Sequence, residues 1–321
     1  MKRLRFTLVP MLFAGMLIVG CENQLEAPGA MTLQTKNAVE VLPAGAQFVS
    51  MVDMQAMHQN DLFDPFNEDL SGELHARFQE FLDATGFDPA NDLHEVYLAA
   101  PDNEPDHQAS IVAYATYDRD RLQAYIEQRM GETFEGDDYK GVPLYRATEE
   151  DHTMVFALAS DNMIVASPDE AAVEAMLDRL SGSGPALKDD PDIINLISLA
   201  SSGSSAWAVF TNFDELNAED AGKDNAIARD MQQIGRALKD VAIGVTMQDD
   251  GIEGRVFMQT KEGVSASDVA DLTKGVVAAM KAESDIDEEK LRMLDGVRVR
   301  SKSDRVQVEF FADTAMLKSS R

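Results

Sequence analysis

The sequence predicts an α+β fold made of two similar β-α-β-β-α-β-β-α units, with antiparallel sheets and helices packed on one face. Three observations predict this class. Apolar residues alternate with polar ones in short segments joined by tight turns, which is typical of antiparallel strands. Other segments have apolar residues at helical spacing. Several segments of the first half also recur in order in the second. The 321 residues are 45% apolar and 26% charged, as in ordinary globular proteins.

The first half begins with Phe48, Ser50 and Val52 on one face of a strand that ends at Asp53. Its last helix starts after Pro168 and Asp169, which are typical residues of a helix start. Tight turns and a polar loop separate the remaining segments. The predicted strands are residues 48–53, 96–100, 109–117, 142–146, 154–159 and 163–167, and the predicted helices are 66–85, 118–130 and 170–180.

The second half has the same kinds of segment in a similar order. Asp249-Asp250-Gly251 lies between two alternating segments and predicts a hairpin. Ser265 or Ser267 is suited to cap the helix that follows. The predicted strands are residues 206–210, 241–247, 252–259, 297–300 and 306–310, and the predicted helices are 192–200, 226–238, 266–282 and 314–318.

Four segments of the two halves match in residue type and order. The matched pairs are residues 48–54 with 207–213, 93–99 with 238–244, 160–165 with 303–308, and 169–171 with 313–315. The offsets are 159, 145, 143 and 144 residues, so the matches are collinear apart from one longer insertion. Four ordered matches predict an internal duplication. The alternative is that an α+β chain aligns with itself this loosely without any duplication.

Composition divides the chain into four parts. Residues 181–191 (SGSGPALKDDP) are rich in Gly, Ser and Pro, which is typical of a boundary. Residues 22–39 are polar and lack a sustained period, which favours a flexible tether spanning about 25 Å. The predicted parts are a leader (1–20), the tether (21–39), a first α+β repeat (40–183) and a second α+β repeat (184–321).

The leader has the pattern of a bacterial export signal. Residues 1–5 (MKRLR) are basic, and residues 6–17 form an apolar stretch that is too short to span a bilayer. Ile18-Val19-Gly20-Cys21 follows, and Cys21 is the only cysteine of the chain. These residues resemble the lipobox of bacterial lipoproteins, in which a small residue precedes the cysteine that becomes the acylated N-terminus. The alternatives are an ordinary secretory signal or an uncleaved anchor.

The lipoprotein resemblance implies that the protein is attached to a membrane, and it implies a cellular location. Two or three acyl chains on Cys21 would hold the protein on a membrane essentially permanently. Glu22 stands at the second position, where Asp means inner-membrane retention in some bacteria. The resemblance therefore implies the cell envelope, at the periplasmic or surface face of the outer membrane. The repeated order of the body, and Leu42-Pro43-Ala44 before the first strand, also resemble uncharacterised secreted α+β families. Those families supply no catalytic residues.

The charge balance excludes several partners. There are 57 acidic and 28 basic residues, and loss of Lys2, Arg3 and Arg5 with the leader would leave a net charge of −32. Such a body is repelled by nucleic acid and by anionic lipid. With 34 aspartates and only 12 lysines, the surface also suggests adaptation to high salt. A single cysteine excludes an internal disulfide and any cysteine-based metal site.

The sequence has no pattern that predicts a catalytic, cofactor-binding or metal-binding residue. His94-Glu95 starts like a zinc-protease motif, but Leu98 replaces its second histidine and the segment is predicted as a strand. Turn aspartates at 137–138, 189–190 and 249–250 favour backbone hydrogen bonding over a calcium site. Methionines and tyrosines that could line a binding surface or fill the core are Met51, Met54, Met57, Tyr97, Tyr114 and Tyr117.

These observations predict a lipid-anchored envelope protein without catalytic activity that acts as a binding or structural module. Two alternatives are consistent with the same sequence. One is a hydrolase whose site lies in the cleft between the repeats, which would require a pocket with two or more perturbed titratable groups. The other is a carrier of an apolar or lipid ligand in the groove between the repeats, which would require a large apolar cavity there.

Overall fold

The computed structural model describes residues 25, 27–60, 73–102, 109–129, 134–149, 152–213, 226–282 and 288–313. Cys21, the predicted helical turn at 314–318 and the first residues of the predicted helix 66–85 lie outside these ranges. The helices are α1 (Leu33–Val41), α2 (Met54–Gln59), α3 (Glu73–Thr85), α4 (Pro89–Asp92), α5 (Arg119–Gln128), α6 (Glu170–Leu180), α7 (Pro191–Ser201), α8 (Ala226–Ala237), α9 (Ala266–Lys281) and α10 (Glu288–Gly296).

The strands, in chain order, belong to one sheet. They are β1 (Phe48–Asp53), β2 (Leu93–Ala100), β3 (Ser110–Ala115), β4 (Phe134–Tyr139), β5 (Val142–Glu149), β6 (His152–Ser160), β7 (Met163–Ser167), β8 (Ala206–Phe210), β9 (Leu238–Gln248), β10 (Gly251–Thr260), β11 (Arg298–Lys302) and β12 (Arg305–Asp313). Their spatial order is β11-β12-β10-β9-β8-β1-β2-β3-β7-β6-β5-β4, with antiparallel pairing throughout. The predicted α+β class and antiparallel pairing are confirmed.

The two halves meet at the pair of strands that open them. β1 pairs with β8, so that Met51 lies opposite Trp207. From this pair the strands proceed outward in matching order, as β1-β2-β3-β7-β6 on one side and β8-β9-β10-β12-β11 on the other. The expected separate sheets are therefore one continuous sheet, because the first strand of each half offers its free edge to the other. The division at residue 183 stays a prediction.

The strand register corrects the alignment of the halves by one residue. Val52 pairs with Val96, and Phe210 pairs with Val241. Because Val96 matches Val241 at the offset of 145, Val52 must match Phe210, an offset of 158 instead of the expected 159. The corrected offset also places the buried Val49 over the buried Trp207. A one-residue slip would exchange the two faces of the strand, so the register is decided by burial.

Helices pack on both faces of the sheet, whereas one face was expected. Neighbouring residues of one strand point to opposite faces. Val165 belongs to the central core cluster with α1, α6 and α7, whereas Ile164 packs with α3 and α5. Ala242 likewise joins the central cluster, whereas Val241 packs with α8 and α9. The apolar runs 163–166 and 241–245 are nearly continuous because these strands are covered on both sides.

The expected flexible tether is wrong for its last part. Residues 33–41 form α1, with Thr32 as N-cap, and Ala38, Val39 and Val41 are buried in the central core cluster. This segment has few apolar residues, and polar residues interrupt their helical spacing, so the sequence gives little indication of a helix. α1 forms because the sheet and α6 cover its apolar face, not because of strong intrinsic propensity.

Candidate functional site

A cavity of about 360 Å³ lies between α3, α5 and the adjoining ends of β2, β3 and β7. It is the candidate site, and we call it the α3–α5 cavity. Its wall is mainly apolar and includes two phenylalanines, a tyrosine and three branched aliphatic residues. The apolar lining residues are Phe81, Phe87, Leu93, Ala115, Tyr117, Leu122 and Ile164, and the others are Thr85, Gly86, Asp92, Thr116, Asp118 and Arg121.

Local sequence features shape the chain where the two helices border the cavity. α3 ends at Thr85, and Gly86 follows with a φ of +70°, a conformation that favours glycine. A Cβ atom at this position would lie 2.9 Å from the Nη1 atom of Arg121. α5 begins after Asp118, whose Oδ1 accepts a hydrogen bond from the backbone N–H of Arg121 at 3.1 Å. The glycine thus leaves space for the Arg121 side chain beside the cavity.

The exposed part of the lining is polar and forms the mouth of the cavity. Gly86, Thr116, Asp118 and Arg121 are exposed, whereas the inner residues Thr85, Ala115 and Leu122 are buried. The Arg121 guanidinium lies 3.6 Å from the Asp118 carboxylate and has 63% of its side chain exposed. This ion pair is worth little because water screens it. The guanidinium is thus able to meet a polar or anionic group at the mouth.

A chain of hydrogen bonds fixes the mouth from behind. The Gln55 amide donates to Nδ1 of His94 at 2.8 Å, and Nε2 of His94 lies 2.8 Å from the Thr116 hydroxyl. Because Nδ1 accepts from the amide, Nε2 is the nitrogen that donates to Thr116. This geometry gives His94 a positioning role at the end of the sheet and leaves neither ring nitrogen for a metal ion.

A second polar feature lies under α1, on the opposite face of the sheet. The Tyr97 hydroxyl donates to the Glu95 carboxylate at 2.5 Å and lies 3.0 Å from the Thr35 hydroxyl. The Tyr97 ring packs edge-on against Tyr114 and Trp207, at centroid distances of 5.9 and 6.2 Å. Tyr97, Tyr114, Trp207 and Thr35 are all buried. We call these residues and Glu95 the Glu95–Tyr97 cluster.

Burial shifts the titration of this cluster. It raises the pKa of the Glu95 carboxyl, and the hydrogen bond from Tyr97 opposes that shift only in part. Burial, together with the Glu95 carboxylate, raises the pKa of Tyr97, and burial raises that of Tyr114. Glu95, Tyr97 and Tyr114 therefore lie between α1 and the sheet, away from the α3–α5 cavity. Among the described residues that line the cavity, Tyr117 is the one with a shifted pKa, which burial raises.

The structure separates most of the residues that the sequence singled out. Met51 is in the core, whereas Met54 and Met57 are half-buried on α2. Tyr97 and Tyr114 are buried in the Glu95–Tyr97 cluster, and Tyr117 lines the cavity. Cys21 lies outside the described residues. α3 and α5 were predicted as helices, but no local signal shows that a cavity remains between them.

The turn aspartates bind backbone N–H groups of their own segments. Asp138 accepts from Gly141, Asp189 accepts from Ala186, and Asp190 caps α7. Asp249 and Asp250 form the two-residue turn between β9 and β10. Over the described ranges, no three His, Cys, Asp or Glu side chains are grouped closely enough to hold a metal ion.

The comparisons with known proteins assign a family. The profile of a family described as "Protein of unknown function (DUF3352)" matches residues 11–314. The chain belongs to the DUF3352 family. A search of curated proteins finds no match for this DUF3352 chain.

Solved structures similar to the DUF3352 chain include crystal forms of the Treponema protein TP0453. Crystal form III of TP0453 has a TM-score of 0.53 at 13% identity, over 88% of this chain and 96% of the TP0453 chain. Crystal form IV has a TM-score of 0.52 at 13% identity, with 88% and 95% covered. At this identity the likeness shows a common fold alone. Among the described residues, the helices of the DUF3352 chain are too short or too polar to cross a bilayer.

Proposed function

We propose that this protein is a lipid-anchored component of the bacterial cell envelope whose body binds a small, mainly apolar ligand in the α3–α5 cavity without transforming it. The observation that carries this proposal is the cavity itself. Its volume of about 360 Å³ falls in the range of small-molecule sites, which are typically concave, apolar and equipped with a few polar groups.

The cavity favours an amphiphilic ligand over a purely apolar one. Phe81, Phe87 and Leu122 offer an apolar wall, and the Arg121 guanidinium stands at the mouth. An apolar body could enter while a polar or anionic group remains near Arg121, where it keeps its contact with water. β1 and β8 pair directly, so the place where the repeats meet is occupied by the sheet itself. We therefore propose that a carried apolar or lipid ligand would bind in the cavity within the first half.

Binding is favoured over hydrolysis by what the nearby carboxylates do. Asp118 accepts from the Arg121 backbone N–H, and Asp92 accepts from the Asp88 backbone N–H at 2.8 Å. Both carboxylates therefore stabilise the local backbone next to the cavity. The Glu95–Tyr97 cluster has the perturbed groups that a hydrolase requires, but α1 covers it, so a substrate in the cavity would not reach it.

The envelope address is supported by the lipobox at Ile18-Val19-Gly20-Cys21 and by Glu22. We propose an outer-membrane location with acyl chains on Cys21 as the membrane partner. Intact-mass measurement of protein purified from its own host checks this part. The expected mass is that of residues 21–321 with two or three acyl chains, and an unmodified Cys21 or an intact Met1 would contradict it.

Ligand binding is tested by narrowing the mouth of the cavity. The probe is N-phenyl-1-naphthylamine, an uncharged apolar fluorophore whose emission rises in apolar sites. We expect the Thr116→Phe variant to bind the probe at least about tenfold more weakly than the parent, because the ring closes the mouth over the cavity. Probe fluorescence titration gives the dissociation constants.

The matched control is Thr153→Phe. Thr153, the second residue of β6, is also an exposed threonine, and it does not line the cavity. This control is expected to bind the probe like the parent. Equal binding by all three proteins would show that the probe does not enter the α3–α5 cavity, and would contradict the proposed ligand site.

A further inference from the structure

We infer that the docked N-terminal segment holds the body end-on against the membrane, with the mouth of the α3–α5 cavity toward the bilayer surface. This inference rests on the acylation of Cys21 in the proposed function. It adds the surface of the body that meets the membrane, which is the end of the sheet where β8 begins and β3 ends. We call this the anchor end.

The N-terminal segment is fixed to the body well before the first strand. The backbone N–H of Gly29 donates to the Ser198 carbonyl of α7 at 3.2 Å. Thr32 caps α1, and Thr35 is buried with its hydroxyl against Tyr97. The chain is therefore attached to the body from Gly29 onward, about ten residues earlier than the end of the predicted tether.

This attachment point lies at the anchor end. Gly29 lies beside Ser202, which directly precedes β8, and β8 begins at Ala206. Ala206 pairs with Val52 near the end of β1, and the Asp53 backbone N–H donates to the Ser205 carbonyl at 2.8 Å. The chain thus leaves the body where β1 ends and β8 begins.

Chain length limits how far this end can move from the membrane. Eight peptide units separate Cys21 from Gly29, and a chain of this length reaches at most about 28 Å. The sheet itself is longer, since the eleven residues of β9 extend over about 36 Å. A tether that is shorter than the body, attached at one end, favours contact of that end with the bilayer.

The cavity mouth is at the same end. Thr116 and Asp118 follow β3 directly, and Asp92 immediately precedes β2. Tyr114 near the end of β3 pairs with Met163 at the start of β7. Because Glu95 pairs with Asp53, the start of β2 lies beside the end of β1, where the N-terminal segment emerges. Attachment point and mouth therefore occupy one end of the sheet, on opposite faces.

The test uses one fluorescent label at each end of the sheet in the acylated protein. Cys21 is the only native cysteine and is acylated, so an introduced cysteine is the only free thiol. Asp161→Cys places the label at the anchor end, next to the start of β7, where the native side chain is fully exposed. Glu262→Cys places it in an exposed turn after β10, at the far end.

The proteins are reconstituted in phosphatidylcholine vesicles containing a nitroxide-headgroup lipid, which quenches labels near the surface. We expect at least about threefold stronger quenching at residue 161 than at residue 262. Equal quenching, or stronger quenching at residue 262, would overturn the inference. Circular dichroism of both labelled proteins checks that each retains the fold, and a variant that fails this check is replaced by labelling Asn162 or Gly263.

Two further variants separate the inference from the proposed function. Cys21→Ser should abolish quenching at both positions, because the unacylated protein does not stay on the vesicle. Absence of quenching at both positions in the protein that retains Cys21 would contradict the acylation itself, whereas equal quenching would contradict only the orientation. Val39→Asp, which places a charge in the buried face of α1, should reduce the difference between the two labels because it frees the segment from the body. A difference that persists unchanged would show that docking of α1 does not set the orientation.

Discussion

At the scale of single residues, the Glu95–Tyr97 cluster combines burial with hydrogen bonding. Thr35 and Tyr97 are 62 positions apart in the chain, and their hydroxyls lie 3.0 Å apart beneath α1. Tyr97 then donates to Glu95, so the three side chains form one connected series. Such a series specifies how α1 sits on the sheet, because a shifted helix would leave the buried hydroxyls without partners.

Replacing Glu95 by glutamine should stabilise the protein at neutral pH. Burial raises the pKa of Glu95 above its ordinary value of 4.5, so the contribution of this group to stability is present below pH 4.5 and is lost as the pH rises through the raised pKa. A glutamine oxygen still accepts from Tyr97 and never becomes charged. We expect a higher Tm for Glu95→Gln at pH 7.5 and little difference near pH 4.

Thermal melts across this pH range measure the effect. Glu127→Gln, at an exposed position of α5, is the control and should change the Tm little at either pH. A lower Tm for Glu95→Gln at pH 7.5 would indicate that the charged carboxylate is favourable in its site.

At the scale of elements, α1 is the part of the fold that the sequence describes least well. Its apolar face is short, and the helix is stabilised by what it covers. The chain after α1 is also tied to the segment that joins the halves, since the Leu187 backbone N–H donates to the Leu42 carbonyl and Pro43 forms a bridge with Ala186. α1 therefore belongs to the folded body, which makes the N-terminal attachment rigid.

Two alanine substitutions on this helix should differ strongly in their cost. Val39 is 2% exposed within the central core cluster, so Val39→Ala should lower the free energy of unfolding by about 1–3 kcal/mol. Leu33 is 71% exposed on the same helix, so Leu33→Ala should change it by less than about 0.5 kcal/mol. Urea unfolding of both variants gives the values. Similar losses for both would mean that α1 does not pack as described.

At the scale of the whole molecule, one antiparallel sheet unites two halves of strongly acidic composition. Sheet edges are exposed at β4 and β11, and both edge strands carry charged residues, including Asp137 and Asp138 on one and Arg298 and Lys302 on the other. Charges on an edge strand oppose pairing with a second sheet. The large net negative charge adds a repulsion that acts over the entire body.

Salt should therefore stabilise the protein. At 0.1 M salt, charges interact over about 10 Å, and at 1 M over only about 3 Å, so the repulsion among 57 acidic side chains weakens. We expect the Tm at pH 7.5 to rise markedly between 0.1 and 1 M NaCl. The control is the same comparison near pH 4, where carboxylates are partly protonated and the rise should be smaller. An equal Tm in both salts at pH 7.5 would contradict adaptation to high salt.

Local sequence patterns were sufficient to predict most of the strands and the amphipathic helices. The bounds of α6 and β8 agree with the predicted ones, and the ordered recurrence of segments anticipated the matching strand order of the two halves. Helical and strand periodicity depends on neighbours in the chain, so these elements are readable from the sequence. For the site, the two helices that contribute Phe81 and Leu122 to the cavity wall were predicted in the same way.

Contacts between residues that are distant in the chain decided the features that the sequence did not predict. The pairing of β1 with β8 joined the halves into one sheet, and the buried helix α1 replaced the last part of the expected tether. The α3–α5 cavity is lined by residues of two helices and three strands that are distant in the chain, and burial raises the pKa of the Glu95 carboxyl. The sequence by itself determined the charge and most of the elements and predicts the leader, since each depends on residue type and local order. The register of the strands, the docking of α1 and the presence of a cavity depend on which surfaces pack against each other and exclude water. Only the tertiary structure determines which surfaces these are.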